Sequence, residues 1–593
     1  MQDKFRSKIG SPDSNVGLNF SVALLKLREF LPPKSYCDRL VALYFQHFER
    51  TFRVLHIPTF LQRYGKLWTN EHPDICTSSS IIPEVTAVMT MAYHMDDTQQ
   101  LSDDRNHRTY LKGSAMDLTQ AWLNELDRKQ RTELSTLQVE VLLLLSRSLR
   151  GLQPEQLWSS TGALVRSAMI MGLNVDPASV SGLTPYMAEM RRRLWATILE
   201  VDLQASLFCG MPLVIPDLNS SALMPSNIND AEIDDVMATL PIPHPRHTYT
   251  DSLFQVALAS SLPQRINALS IIQQSTPNIQ EGTSLGRKIE NFLSEMPRVL
   301  SLNKLSEAPA DGGSLWHRIL LDLYLRRPIL RLYKTLLLAH QKSACDTTLR
   351  AELEKHCLES SQVILSYQDL YTLPALATIT NSPWAHQNLF YNACKADILW
   401  AALTLCQEIK QCFGLDKPKS GHDSLVRSVE TTIGYLIDRI GQKGCDAKDI
   451  VLLALVLQSV QTAESVPGRA EALQQTARKT LALCREKLLQ PLVTNEQRST
   501  TAPPAKRLSI DAMPKSASMS NGVTPPISNT QPTPNLMSDL TFPMNLPVSA
   551  EQWLSDLPDL AVEYSAFQAG SFNPNDPLNF GIAQNWNWEH MWQ

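Results

Sequence analysis

The chain has 593 residues, 43% hydrophobic and 19% charged, with a formal net charge of −5, which is ample for a large core and more than one ordinary domain needs. Residues 499–593 hold three basic side chains (Lys506, Arg507, Lys515) against eight acidic ones, so that stretch carries the whole of the −5 and residues 1–498 are balanced. A neutral body without a basic cluster is poor equipment for neutralising phosphates, so the chain does not read as a nucleic-acid-binding module by itself.

Ten cysteines are scattered with no C-x-x-C pair. The first apolar stretch, Val16 to Leu31, is interrupted by Lys26, Arg28 and Glu29, so no secretory leader is expected. The runs VEVLLLLS and VLLALVLQSV are far shorter than the roughly 20 residues that span a bilayer. These features point to an intracellular protein with reduced, buried thiols.

Residues 1–19 are polar, contain Gly and Pro, and are expected to be disordered. A helix is expected from Ser35 to Leu55, with Tyr36, Leu40, Leu43, Tyr44, Phe48, Phe52 and Leu55 on one aromatic-rich stripe. It should stop at His56-Ile57-Pro58, because a residue before proline leaves the helical region. Phe60 then restarts a short helix that ends near Trp68. His56 beside this turn reads as a satisfied structural group rather than a catalytic base. Helices follow from Ile82 to His94, with Pro83 in the first turn, and from Arg105 to Lys129. The next starts at Ser135 with a capping box made by Ser135 and Gln138, and another runs from Pro154 to Gly172.

The stretch from Thr184 to Asp230 is the most informative. Thr184 suits an N-cap, Pro185 suits the first helical position, and apolar residues recur at Met187, Met190, Leu194, Ile198, Val201 and Ala205 as one buried stripe. Three consecutive arginines, Arg191, Arg192 and Arg193, point about 100° apart. At least one must approach the core and need a carboxylate; Asp202, Asp217 and Asp230 are the candidates. Gly210 suits a left-handed C′ position, and Pro212 cannot continue the helix. Beyond a proline-punctuated loop, HPRH (His244, His247) is the only close histidine pair. With two prolines and no Cys or Glu beside it, it reads as a solvated loop rather than a metal site.

The second half repeats the helical mode near 249–270, 285–296, 314–340, 348–371, 384–411, 422–441, 447–464 and 467–490, with an expected break at Arg327-Pro328-x-Leu330. Cys394, Cys406 and Cys412 lie along one helix and read as packing. Period-2 alternation is essentially absent and no fixed-period repeat is found, so the body over 20–490 is all-α. No Gly-rich phosphate loop, G-x-S-x-G, metal triad or dinucleotide fingerprint occurs, which argues against an enzyme.

From 491 to 593 Ser, Thr, Pro, Asn and Met dominate and disorder is expected. Lys506 and Arg507 form a minimal candidate for nuclear import. Segment 535–593 alternates acid with large apolar groups (Trp553, Leu554, Leu557, Leu560, Phe567, Trp586, Trp588 and Trp592), the composition of a disordered activation segment. The competing reading is a tail that docks on the body.

The run RRRLW (Arg191, Arg192, Arg193, Trp195), then Asp202, then Gly210, Pro212 and Ile215, then Pro225, Asn227 and Asp230, resembles the signature of the fungal-specific transcription factor domain. That domain is the helical middle homology region of fungal zinc binuclear cluster regulators. YFQHFERTFRVLHIPTF, ALVRSAMIMGLNVDP and LWHRILLDLYLRRPILRLY are also similar, so the resemblance covers roughly residues 35–410. One departure is Met211, where the family often has arginine. The resemblance implies a large multi-helix regulatory domain in a nuclear regulator of RNA polymerase II genes, of a metabolic or biosynthetic set. Its implied partners are transcriptional coactivators, a homodimer or heterodimer partner among related regulators, and promoter DNA by analogy only; no membrane is implied. The family's zinc cluster needs two C-x-x-C halves, and no cysteine pair here has that spacing. Zinc is therefore expected only if a cluster lies upstream. The alternative is a chain that contacts no DNA and modulates a full-length zinc-cluster relative by protein–protein contact.

Overall fold

A computed structural model describes residues 21–489 apart from 70–79, 97–101, 216–222, 303–314, 341–346, 381, 413–418, 443 and 463–467. The expectations for residues 1–19, for Asp217 and for the tail, including Lys506, Arg507 and the activation candidates, lie outside the described residues. Within them every regular element is helical and no strand forms.

The first half comprises α1 (Val22–Glu29), α2 (Lys34–Tyr44), α3 (Ile57–Leu67), α4 (Ile81–Ala92), α5 (Ser102–Lys112), α6 (Ser114–Glu125), α7 (Leu134–Leu149), α8 (Pro154–Ile170) and α9 (Pro185–Cys209). The second comprises α10 (Leu253–Ser260), α11 (Leu262–Ile272), α12 (Ile279–Ser294), α13 (Leu315–Ala339), α14 (Thr347–Leu370), α15 (Pro383–Cys412), α16 (Lys419–Asp438), α17 (Ala447–Gln461) and α18 (Arg469–Leu489). Neighbours in sequence pack on one another: α8 on α9, α12 on α13, α13 on α14, α14 on α15, α17 on α18. Closure is supplied by α4 against α2 and α7, and by α15, which carries α16 and α17. One apolar cluster runs from Ala23 to Cys484, so both halves share a core. Burying side chains in a common interior, rather than intrinsic helix propensity, stabilises helices of this length.

Five local expectations are corrected. The helix expected to reach Leu55 ends at Phe52: α2 widens into a π-type turn over Phe45–Glu49, resumes for Arg50–Phe52 and stops at Arg53, whose φ is 43°. Arg53 is the only non-glycine with positive φ among the described residues. The helix expected from Arg105 to Lys129 is two helices, parted at Gly113, where φ −108° and ψ −101° are cheap without a Cβ. The Ser135–Gln138 capping box is absent: α7 starts at Leu134 after Glu133, and the buried Gln138 amide donates to the Val54 carbonyl at 2.7 Å. The break at Pro328 does not occur, because α13 runs through it while packed against α11, α12 and α14. Pro328 nevertheless leaves the Tyr324 carbonyl without its usual i+4 donor. Finally, α9 is not an amphipathic stripe. Every residue from Arg193 to Leu207 is buried, so it is a central helix covered on all sides.

Candidate functional site

Helix α9 starts where Thr184 and Pro185 dictate: the Thr184 hydroxyl accepts from the Met187 N–H at 3.2 Å. Glu189 and Arg193 lie one turn apart, both buried. The Arg193 Nε donates to Glu189 Oε1 at 3.2 Å, and its Nη1 donates to Asp230 Oδ1 at 2.6 Å. Of the three candidate carboxylates, Asp230 is thus the one Arg193 meets. Arg53 reaches the same Asp230 oxygen with its Nη2. The other Asp230 oxygen accepts from the Ile57 N–H at 3.0 Å, and the Asp230 carbonyl is 2.9 Å from His56 Nε2. His56 is therefore held by the fold, with Nδ1 at 2.7 Å from the Thr59 hydroxyl.

Burial pushes the Asp230 carboxyl up, but Arg53, Arg193 and the Ile57 N–H together outweigh burial and hold it below the usual carboxylate range. Glu49 behaves oppositely. Burial raises it to about 8 despite Arg53 at 3.9 Å and the Tyr44 hydroxyl, which donates at 2.6 Å. The hub thus sets two arginines against Asp230, Glu189 and Glu49, with the Asp230 carboxyl held below the usual carboxylate range and the Glu49 carboxyl raised above it. Arg53, Glu49 and Glu189 were not singled out by sequence reasoning. The available signal was a pair of charges, Glu49 and Arg53, placed i,i+4 inside an aromatic stripe.

The other signature residues organise the surrounding chain. Arg191 donates to the Met171 carbonyl, Arg192 lies 3.6 Å from Glu189, and Trp195 is buried in the core. Asp202 pairs with none of Arg191, Arg192 and Arg193; it accepts from the Thr161 hydroxyl at 2.7 Å and the Val214 N–H at 3.4 Å, tying the loop after α9 to α8. Gly210 takes the left-handed position at φ 66°, and the Pro212 carbonyl accepts from Trp158 Nε1 at 2.9 Å. Met211, where the family often has arginine, is exposed. Pro225 and Asn227 are buried. The Asn227 amide donates to the carbonyls of His244 and Pro245 at 3.1 and 3.0 Å and accepts from the Thr250 hydroxyl at 2.6 Å. The HPRH loop is corrected on one point: a carboxylate is at hand, because His244 Nε2 sits 2.8 Å from Glu232 Oε1.

Beyond the hub, α9 forms a wall of a cavity of about 420 Å³ bounded also by the segment after α2 and by α4, α7, α8, α13, α15 and α17. Rings of Phe48, Phe52, Phe208, Trp316, Tyr324 and Trp400 line it. Among its polar groups, Arg327 forks onto Asp397 at 2.7 and 2.6 Å, donates to Gln204, and lies 4.3 Å from the Phe208 ring and 5.3 Å from the Tyr324 ring. Lys395 pairs with Asp449 at 2.6 Å and with Asp446. A smaller cavity of about 250 Å³ meets His47 and His386, whose rings are 4.8 Å apart, and His317 Nε2 lies 3.1 Å from the His47 carbonyl. Burial lowers all three histidines, to about 3 for His47 and about 4 for His317 and His386.

Among the described residues no group of three His, Cys, Asp or Glu side chains fits a metal ion. The buried cysteines Cys37, Cys357, Cys394 and Cys406 have thiols pushed up by burial, as packing groups do; the Cys412 side chain is outside the description. No described helix is long and apolar enough to cross a membrane.

Comparison with known proteins gives one consistent answer. Transcription factor opdR of Penicillium oxalicum is 27% identical over 480 residues, covering 77% of this chain and 59% of opdR. The Zn(2)-C6 fungal-type transcription factor mpsB of Macrophomina phaseolina is 27% identical over 57% of this chain and 45% of its own. The Fusarisetin A cluster transcription factor fsa6 of a Fusarium species is 24% identical over 73% of this chain and 58% of its own. The chain therefore spans less than two thirds of each of these relatives. No solved structure matches. The family profile described as the fungal specific transcription factor domain matches residues 41–337. Since that span runs from within α2 to within α13 and takes in the whole arginine-led stretch, this chain belongs to the fungal-specific transcription factor domain family.

Proposed function

We propose that the chain acts in the nucleus as a regulator of RNA polymerase II transcription, controlling a biosynthetic gene set. The helical body is its regulatory part and residues 535–593 are its activation segment. The observation that carries this reading is the alignment with fsa6, named for the Fusarisetin A cluster, along 73% of this chain. The buried, charge-paired hub supports it too, since it ties distant segments of one fold together. Lys506 and Arg507 serve import, and the aromatic-acidic tail recruits coactivators through exposed anchors. Transcript profiling of a deletion strain tests the reading: a co-regulated set of biosynthetic genes should fall. An unchanged transcriptome across growth conditions refutes it.

A second reading is favoured by one observation, the absence of net charge over residues 1–498 together with the lack of a metal-fitting group among the described residues. In it the chain pairs with a zinc-cluster relative, zinc belongs to that relative, and promoter DNA is contacted through it. A gel-shift assay with and without a tagged relative separates the two, because only the second reading requires the relative for any shift.

A further inference from the structure

The cavity of about 420 Å³ between the two halves falls within the range of roughly 300–1,000 Å³ typical of small-molecule sites, and its wall is mostly aromatic and aliphatic. Its charges are already matched: Arg327 is satisfied by Asp397, and Lys395 by Asp446 and Asp449. No unpaired cation is left among these groups to take a carboxylate or a phosphate, and bringing in a charged ligand would require stripping its water without a counter-ion. Tyr324 offers a donor to this space. It is half-buried on the cavity wall with its ring 5.3 Å from the Arg327 guanidinium, and its hydroxyl enters none of the hydrogen bonds formed among the described residues. A hydroxyl on a cavity wall can donate to an acceptor inside the cavity.

We propose that this cavity binds a neutral, largely aromatic or aliphatic small molecule bearing a carbonyl-type acceptor, which takes the proton of the Tyr324 hydroxyl in a hydrogen bond. The inference goes beyond the transcriptional reading and stands without it, because its test reads binding and not gene expression. The site also has a physical route to the rest of the body. Phe48 and Phe52 in its wall flank Glu49 and precede Arg53, both members of the hub, so an occupant presses on the segment that seats Asp230.

The test uses the purified full chain and the neutral fluorescent ketone 6-propionyl-2-(dimethylamino)naphthalene, whose emission shifts to the blue in apolar surroundings. Saturable binding at one site per chain is expected. Tyr324→Phe, which deletes one oxygen, should weaken binding roughly three- to tenfold, the worth of one hydrogen bond. Ala396→Trp, which fills the cavity, should abolish it with circular dichroism unchanged. Absence of saturable binding overturns the proposal, as does binding that survives Ala396→Trp. Unchanged affinity in Tyr324→Phe overturns the assigned ligand class. Binding that emerges only after Trp553, Trp586, Trp588 and Trp592 are replaced by Ala shows that the chain's own tail fills the cavity, and also overturns it. If Ala396→Trp fails to fold, the wild-type titration and the Tyr324→Phe comparison still decide.

Discussion

Asp230→Ala is the sharpest test of the hub. The substitution leaves Arg53 and Arg193, both completely buried, without the carboxylate they share. Arg193 keeps Glu189 at 3.2 Å, but Arg53 loses the carboxylate it hydrogen-bonds and keeps Glu49 only at 3.9 Å. Arg53 is left as a buried cation without a hydrogen-bonded carboxylate, and the Ile57 N–H loses its acceptor. Removing one partner of a buried ion pair costs about 3–5 kcal/mol, a large share of the ~5–15 kcal/mol by which domains are stable. Urea unfolding followed by far-ultraviolet circular dichroism should show a much lower midpoint. Asp230→Asn should fall less, since an amide oxygen still accepts from Ile57. Glu352→Gln at the exposed Arg287–Glu352 pair should leave the midpoint unchanged, because water screens it. If Asp230→Ala is no more damaging than Glu352→Gln, the hub is not what holds these elements together.

Three other outcomes are expected. His47, His317 and His386 are held neutral by burial, so the stability they contribute is present above the unfolded value near 6.5 and is lost as pH falls towards about 4, at up to ~1.4 kcal/mol per pH unit for each. Urea midpoints should drop from pH 7 to pH 5 and drop less in His47→Gln; equal drops refute this. Asn227→Ala should cost about 1–3 kcal/mol by orphaning the His244 and Pro245 carbonyls and the Thr250 hydroxyl, and should speed proteolysis within 234–247. Residues 535–593 fused to an unrelated DNA-binding domain should activate a reporter. Replacing Trp553, Leu554, Leu557 and Leu560 with Ala should remove most of that activity, and a silent parent fusion sinks the assignment.

What could be read from the sequence was local. Thr184 capping, Gly210 in the left-handed position, and the helical class all follow from residues within one turn of each other. So does the need of one arginine for a carboxylate, though choosing Asp230 over Asp202 required knowing that Asp202 faces Thr161 on α8. Two of the misses were long-range. Gln138 looked like a capping residue, but its amide is taken by Val54, which lies 84 residues away. Pro328 looked like a stop, but packing on three helices overrides a local penalty of ~3 kcal/mol. The cavity, drawn from eight stretches of chain, has no sequence signature at all.

The π-type turn at Phe45–Glu49 sets the phase of everything after it. Tyr36, Leu40, Tyr44, Phe48 and Phe52 recur every fourth residue, and in an ideal α-helix each such step overshoots a full turn by about 40°. Left uncorrected, the stripe would wind away from the core before Phe52. The wide turn absorbs the surplus, so Tyr44 and Phe48 stay buried and Phe52 still reaches the cavity wall. Gln46, exposed within that turn, therefore acts as a spacer whose presence matters more than its side chain. Substituting it should be silent. Deleting it would rotate the following residues by about 100° and carry Phe48, Glu49, Phe52 and Arg53 off the cavity and the hub together.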